Sequence, residues 1–71
     1  MKKYYINNNA QLNGDNEVHE DGCYWLRLAN NTSYLGLFAN CADAVRSAKI
    51  QYPYRNRING CATCSSECHT T

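Results

Sequence analysis

Asn59-Gly60-Cys61-Ala62-Thr63-Cys64 places two thiols either side of two residues, directly behind an Asn-Gly pair. A single turn at that spacing brings both sulfurs to about 2.3 Å from one tetrahedral ion, the zinc–thiolate distance. Upstream, His19 and Cys23 are separated by three residues across the turn signal Asp21-Gly22. That spacing closes a second chelate loop. His19, Cys23, Cys61 and Cys64 together make a Cys₃His set with no open coordination position, so the metal expected is structural zinc. Such a site pins the first half of the chain to its far end and brackets everything between them.

A staple is expected on size alone. The chain has 71 residues, and below about 80 residues one hydrophobic core rarely supplies more than about 3–5 kcal/mol. Its large apolar side chains include one Phe, one Trp and six Tyr. Disulfides need an oxidising compartment, and five cysteines would leave one thiol over. Met1-Lys2-Lys3 leads through Tyr4-Tyr5-Ile6 into three asparagines, which is no signal-peptide core. Reduced thiols, a cytoplasmic location and zinc are the consistent expectation. Structural zinc contributes roughly 10–16 kcal/mol of apparent binding energy to folding. The net charge of +1 gives no electrostatic argument for a polyanion, and no apolar stretch has the length of a membrane span.

Working outward from the cysteines, residues 3–6 read as a strand of aromatic and β-branched side chains, ended by Asn7-Asn8-Asn9. Asn13-Gly14 turns the chain into Glu17-Val18-His19. Residues 23–28 alternate, with Tyr24, Leu26 and Leu28 on one side and Cys23, Trp25 and Arg27 on the other, which predicts a strand. Residues 33–39 read as its antiparallel partner. Asn40 caps a helix, Asp43 suits its first turn, and Cys41, Val45, Ala48 and Tyr52 form one apolar stripe. Pro53 ends that helix by disfavouring helical geometry at Tyr52. Asn59-Gly60 then turns the chain to deliver Cys61. The fold class expected is α+β: one domain over residues 1–71, with a small antiparallel sheet of about three strands packed on one helix and stapled by zinc.

Other readings of the same residues stay open. Cys68 or His69 can replace His19 or Cys23, giving a metal set local to the tail. Cys41, on the apolar stripe, reads as a small buried hydrophobe; the sharper reading is a thiolate activated at a helix N-terminus. Cys61 and Cys64 as a redox dithiol would want a following helix, and none is signalled. Asp15, Glu17, Glu20 and Asp21 read as solvated turn residues and partners of the metal ligands rather than a catalytic pair.

The sequence from His19 to Cys64 also resembles the metal-binding domain of the Ada DNA-repair proteins. The residues that carry the resemblance are His19-x₃-Cys23, Asn31-Thr32-Ser33-Tyr34, Ala39-Asn40-Cys41-Ala42-Asp43-Ala44 and Cys61-Ala62-Thr63-Cys64. It implies a zinc-bound fold of that kind, with DNA binding and alkyl acceptance as the associated activity. In Ada the methyl-accepting cysteine opens the x₃ pair, and His19 stands at that position here. An imidazole ligates zinc but supplies no thiolate nucleophile.

Three functions follow as expectations: a structural-zinc module acting through its surface on a protein or nucleic acid, a nucleic-acid binder, and an Ada-like alkyl acceptor or thiol redox protein. For the second, Arg46, Lys49, Arg55 and Arg57 lie near Tyr52 and Tyr54, a mixture suited to phosphate contact and base stacking. The first is the reading adopted, for a monomeric protein without membrane association and with no enzymatic role assigned.

Overall fold

The computed structural model describes residues 1–70. Six elements carry the fold: β1 (Lys2–Asn7), β2 (Asn16–Glu20), α1 (Tyr24–Leu28), β3 (Thr32–Phe38), α2 (Cys41–Gln51) and β4 (Ile58–Gly60). A 3₁₀ turn, Ser66–Cys68, follows. The strands form one four-stranded sheet in the order β3-β1-β2-β4. The class is α+β, as expected.

The strands alternate as a half-covered sheet requires. In β1, Tyr4 and Ile6 are buried, and Ile6 stands opposite Val18 of β2. These side chains form the core with Leu35, Ile58 and the Cys41, Ala44 and Ala48 stripe of α2. Tyr5 and His19, also opposite one another, therefore belong to the other face. Small residues on α2 let the helix lie close to the sheet. Its start is fixed by Asn40, whose side-chain oxygen accepts from the Asp43 N–H at 2.9 Å.

Three expectations are corrected. Residues 23–28 are not a strand: Tyr24–Leu28 is a short helix, and the Cys23 carbonyl accepts from the Arg27 N–H. Tyr24 and Leu28 are one helical turn apart as well as alternate strand positions, so the pattern fitted both. A distant contact helps hold the helix in place. Trp25 Nε1–H donates to Thr63 Oγ1 at 3.0 Å, docking α1 on the Cys61–Cys64 turn. β3 consequently pairs antiparallel with β1 instead, with a bulge opposite Tyr4 and Tyr5.

The second correction is Asn59-Gly60, which is strand rather than turn. β4 runs parallel to β2, with Val18 opposite Gly60, so the sheet is mixed and has four strands instead of about three antiparallel ones. Parallel neighbours need a long crossover, here the chain through α1, β3 and α2. Gly60 has no positive φ. It is glycine because a Cβ there would lie 2.7 Å from Cys68 Cβ and 2.8 Å from the Ser65 carbonyl oxygen.

The third correction concerns Cys41. It is buried, but as half of a disulfide with Cys68, not as a lone packed thiol. The bond ties α2 to the tail across a sequence separation of 27, which the chain-entropy model values at about 3.5 kcal/mol. Five cysteines thus divide into one disulfide and three free thiols, Cys23, Cys61 and Cys64. Asn59 anchors the last described residues: its side-chain oxygen accepts from the Thr70 N–H at 2.8 Å and its amide donates to Asp15 at 3.0 Å. Among the described residues no helix is long and apolar enough to cross a membrane.

Candidate metal centre

β2 organises the centre in two ways. It carries His19, and its backbone grips the Cys61–Cys64 turn from the side. The Val18 carbonyl accepts from the Cys61 N–H at 3.0 Å, and the Glu20 N–H donates to Cys64 Sγ at 3.3 Å. The turn closes on itself through the Ser65 N–H and the Cys61 carbonyl, at 2.9 Å. Cys23 arrives by the tight turn at Asp21-Gly22, where its N–H reaches the Glu20 carbonyl at 3.0 Å and Gly22 adopts a φ of 88°. Glycine is suited to that left-handed conformation because it has no Cβ to clash.

The result is one cluster. His19 Nδ1 lies 3.7 Å from Cys23 Sγ and 3.8 Å from Cys64 Sγ. All four candidate ligand atoms of His19, Cys23, Cys61 and Cys64 fall within 4.8 Å of one another. Around a tetrahedral zinc, ligand atoms would stand about 3.6–3.8 Å apart, so only small side-chain adjustments separate the two arrangements. These four residues can hold a metal ion.

The electrostatics favour a cation. Burial lowers the pKa of His19, which is only 1% exposed, and so keeps the imidazole neutral with a ring nitrogen free to ligate. The Cys64 thiol is pushed up to about 12, chiefly by burial, then by its hydrogen bond with Cys23 and by the nearby Cys61 and Cys23. The Glu20 N–H pulls the other way. Three thiolates cannot share such a pocket alone, whereas a bound divalent ion reverses the balance and deprotonates coordinating thiols outright.

The tail residues are committed elsewhere. Cys68 is in the disulfide, and His69 Nδ1–H donates to the Gly60 carbonyl at 3.0 Å. The tail-only metal set is therefore not assembled. The basic residues near Tyr52 are also largely engaged. Arg55 lies 4.3 Å above the Tyr52 ring and donates to Asn8, Arg57 pairs with Asp15 at 3.0 Å, and Arg46 pairs with Asp43 at 2.9 Å. Asp15 is buried in this network rather than solvated.

Two features of the centre have no signal in the sequence. One is the Trp25–Thr63 bond. The other is His19 Nε2, a buried ring nitrogen without a hydrogen-bond partner, whose nearest carboxylate, Glu17 Oε1, stands 4.0 Å away. Burial, followed in size by the charge of His69 and then of Asp15, acts on the Glu17 carboxyl, and the net effect raises its pKa. Compared with protein-family models, with curated proteins and with solved structures, the chain matches none, so the centre is read from its own geometry.

Proposed function

We propose that this protein is a structural-zinc binding module in which His19 Nδ1, Cys23, Cys61 and Cys64 hold one zinc ion. The observation that carries the reading is the convergence of four buried or half-buried ligand atoms within 4.8 Å, drawn from two distant parts of the chain. Three sulfurs and one imidazole nitrogen in a tetrahedral arrangement suit zinc among the common divalent metals. Four protein ligands leave no position for substrate, which supports a structural over a catalytic ion.

With the ion in place the module acts through its surface on a partner, a protein or a nucleic acid. Alkyl transfer of the Ada kind is not part of the reading, because His19 occupies the place of the accepting thiol. Nor do we extend it to a cytoplasmic location. That expectation rested on reduced thiols and on the lack of a signal-peptide core, and the Cys41–Cys68 disulfide contradicts the first of these.

Metal content of purified protein and variants tests the ligand set. The native chain is expected to carry one zinc, His19→Ala and Cys61→Ser to lose most of it, and His69→Ala to keep it. Zinc retained in full by His19→Ala, or lost in His69→Ala alone, would overturn the assignment.

A further inference from the structure

Beside the metal centre lies a cleft of about 480 Å³ between β2, α1 and the Cys61–Cys64 turn, lined in part by His19 and by Glu17, whose Oε1 stands 4.0 Å from His19 Nε2. Glu17, His19, Asn7 and Gln11 supply its polar wall, and Trp25 and Leu28 its apolar one. His19 is 1% exposed, and its Nε2 is the one buried side-chain nitrogen or oxygen without a hydrogen-bond partner among the described residues. Leaving such a group unpaired costs about 1–3 kcal/mol. A small shift of the wall would expose this unpaired atom to an acceptor in the cleft, and the hydrogen bond so formed would offset that cost.

The metal reading, on which this inference rests, decides what the anchor offers. With Nδ1 committed to the ion, the proton resides on Nε2, which becomes a donor only. Glu17 Oε1, 4.0 Å from that nitrogen, is too far to take the proton's hydrogen bond directly. The carboxylate is an acceptor only. A ligand that satisfies both must present an acceptor to His19 and, next to it, a donor to Glu17. Trp25, half-exposed and held by Thr63, adds an aromatic wall against which a flat ring can lie.

We infer that this cleft binds a planar heterocycle through an amide-type edge, guanine being the nucleobase that fits it best. Guanine O6 accepts from His19 Nε2–H, its N1–H and N2–H₂ donate to Glu17, and its ring packs against Trp25. Single-stranded bases are recognised in this way, by stacking on aromatic side chains and hydrogen bonds to the Watson–Crick edge. Adenine can offer N1 to Nε2–H and N6–H₂ to Glu17, but it brings one donor group to the carboxylate where guanine brings two, N1–H and N2–H₂, and so binds this edge more weakly.

The test titrates the metal-loaded protein with guanosine, inosine and adenosine, and with short single strands carrying one guanine or one adenine among thymines. Binding is followed by calorimetry and by the His19 Nε2–H resonance, and zinc content is measured in every sample. Guanosine is expected to bind at least about tenfold tighter than adenosine, with inosine, which has one donor fewer, between them. The Nε2–H resonance should move with guanosine, and Glu17→Gln should abolish the preference while keeping its zinc. A guanine preference only within the oligonucleotide assigns a nucleic-acid strand as the source; a preference already present in the nucleoside assigns the free base edge. Equal or absent binding by protein that carries its zinc overturns the cleft assignment and leaves the metal reading intact. Protein without zinc overturns the metal reading and with it the fixed Nε2–H donor on which the cleft assignment rests.

Discussion

Chelation of the metal at neutral pH is expected to abolish the cooperative thermal transition of this protein, even with its disulfide intact. The apolar core explains why. Its fully buried members with large side chains are Ile6 and Val18, and α2 contributes mainly the small Cys41, Ala44 and Ala48. A core of this scale rarely supplies more than about 3–5 kcal/mol, against roughly 10–16 kcal/mol for structural zinc. The metal-free centre is also a liability. It leaves His19 Nδ1 buried without its ion and packs the Cys64 thiol, whose pKa burial pushes up, against Cys23 and Cys61 with no cation between them. Circular dichroism should show loss of the sheet and helix signals on chelation and their return with added zinc. Acidification should act in the same direction, because protons compete with the ion for imidazole and thiolate. A chelated, disulfide-intact protein that melted cooperatively at the native temperature would refute the expectation.

Gly60→Ala should cost about 3 kcal/mol or more and weaken metal retention. The added methyl group would stand 2.7 Å from Cys68 Cβ, 2.8 Å from the Ser65 carbonyl oxygen and 2.9 Å from the Cys68 carbonyl carbon. None of these can move cheaply. Cys68 is fixed to α2 by its disulfide, and Ser65 is fixed by the Cys61–Ser65 hydrogen bond. Overpacking typically costs 1–3 kcal/mol, and a clash with backbone on two sides lies at or beyond the upper end of that range. The strain would pass directly to Cys61, the next residue. Gly22→Ala is the useful contrast: nothing lies within 4 Å of the added carbon, and only the φ of 88° penalises it. That substitution should cost about 1–2 kcal/mol. Urea unfolding of the two variants reads the difference. Equal and small losses would show that the Gly60 contact is not a constraint.

The chain announces its parts unevenly. α2 is legible because three local signals agree: the Asn40 cap, the spacing of Cys41, Val45 and Ala48, and the stop at Pro53. β1 is legible from Tyr4-Tyr5-Ile6, and the spacings at His19–Cys23 and Cys61–Cys64 point to residues that the structure brings together. What could not be read is set by distant contacts. α1 is five residues long, and its alternation fits a strand until Trp25 meets Thr63. β4 has three residues, too few for any periodicity, and its parallel pairing depends on the whole crossover. The disulfide joins Cys41, inside that crossover at the start of α2, to Cys68 beyond β4, and spacing along the chain carries no information about it. An odd cysteine count looked like an argument against disulfides. It is what one disulfide plus a three-thiolate centre requires.

The zinc K-edge X-ray absorption spectrum of the native protein bears most directly on the whole scheme. The expected ligand set is three sulfurs at about 2.3 Å and one nitrogen at about 2.0–2.1 Å, with the nitrogen contribution lost in His19→Ala. Four sulfur ligands, an oxygen in place of the nitrogen, or native protein that binds no zinc at all would contradict it.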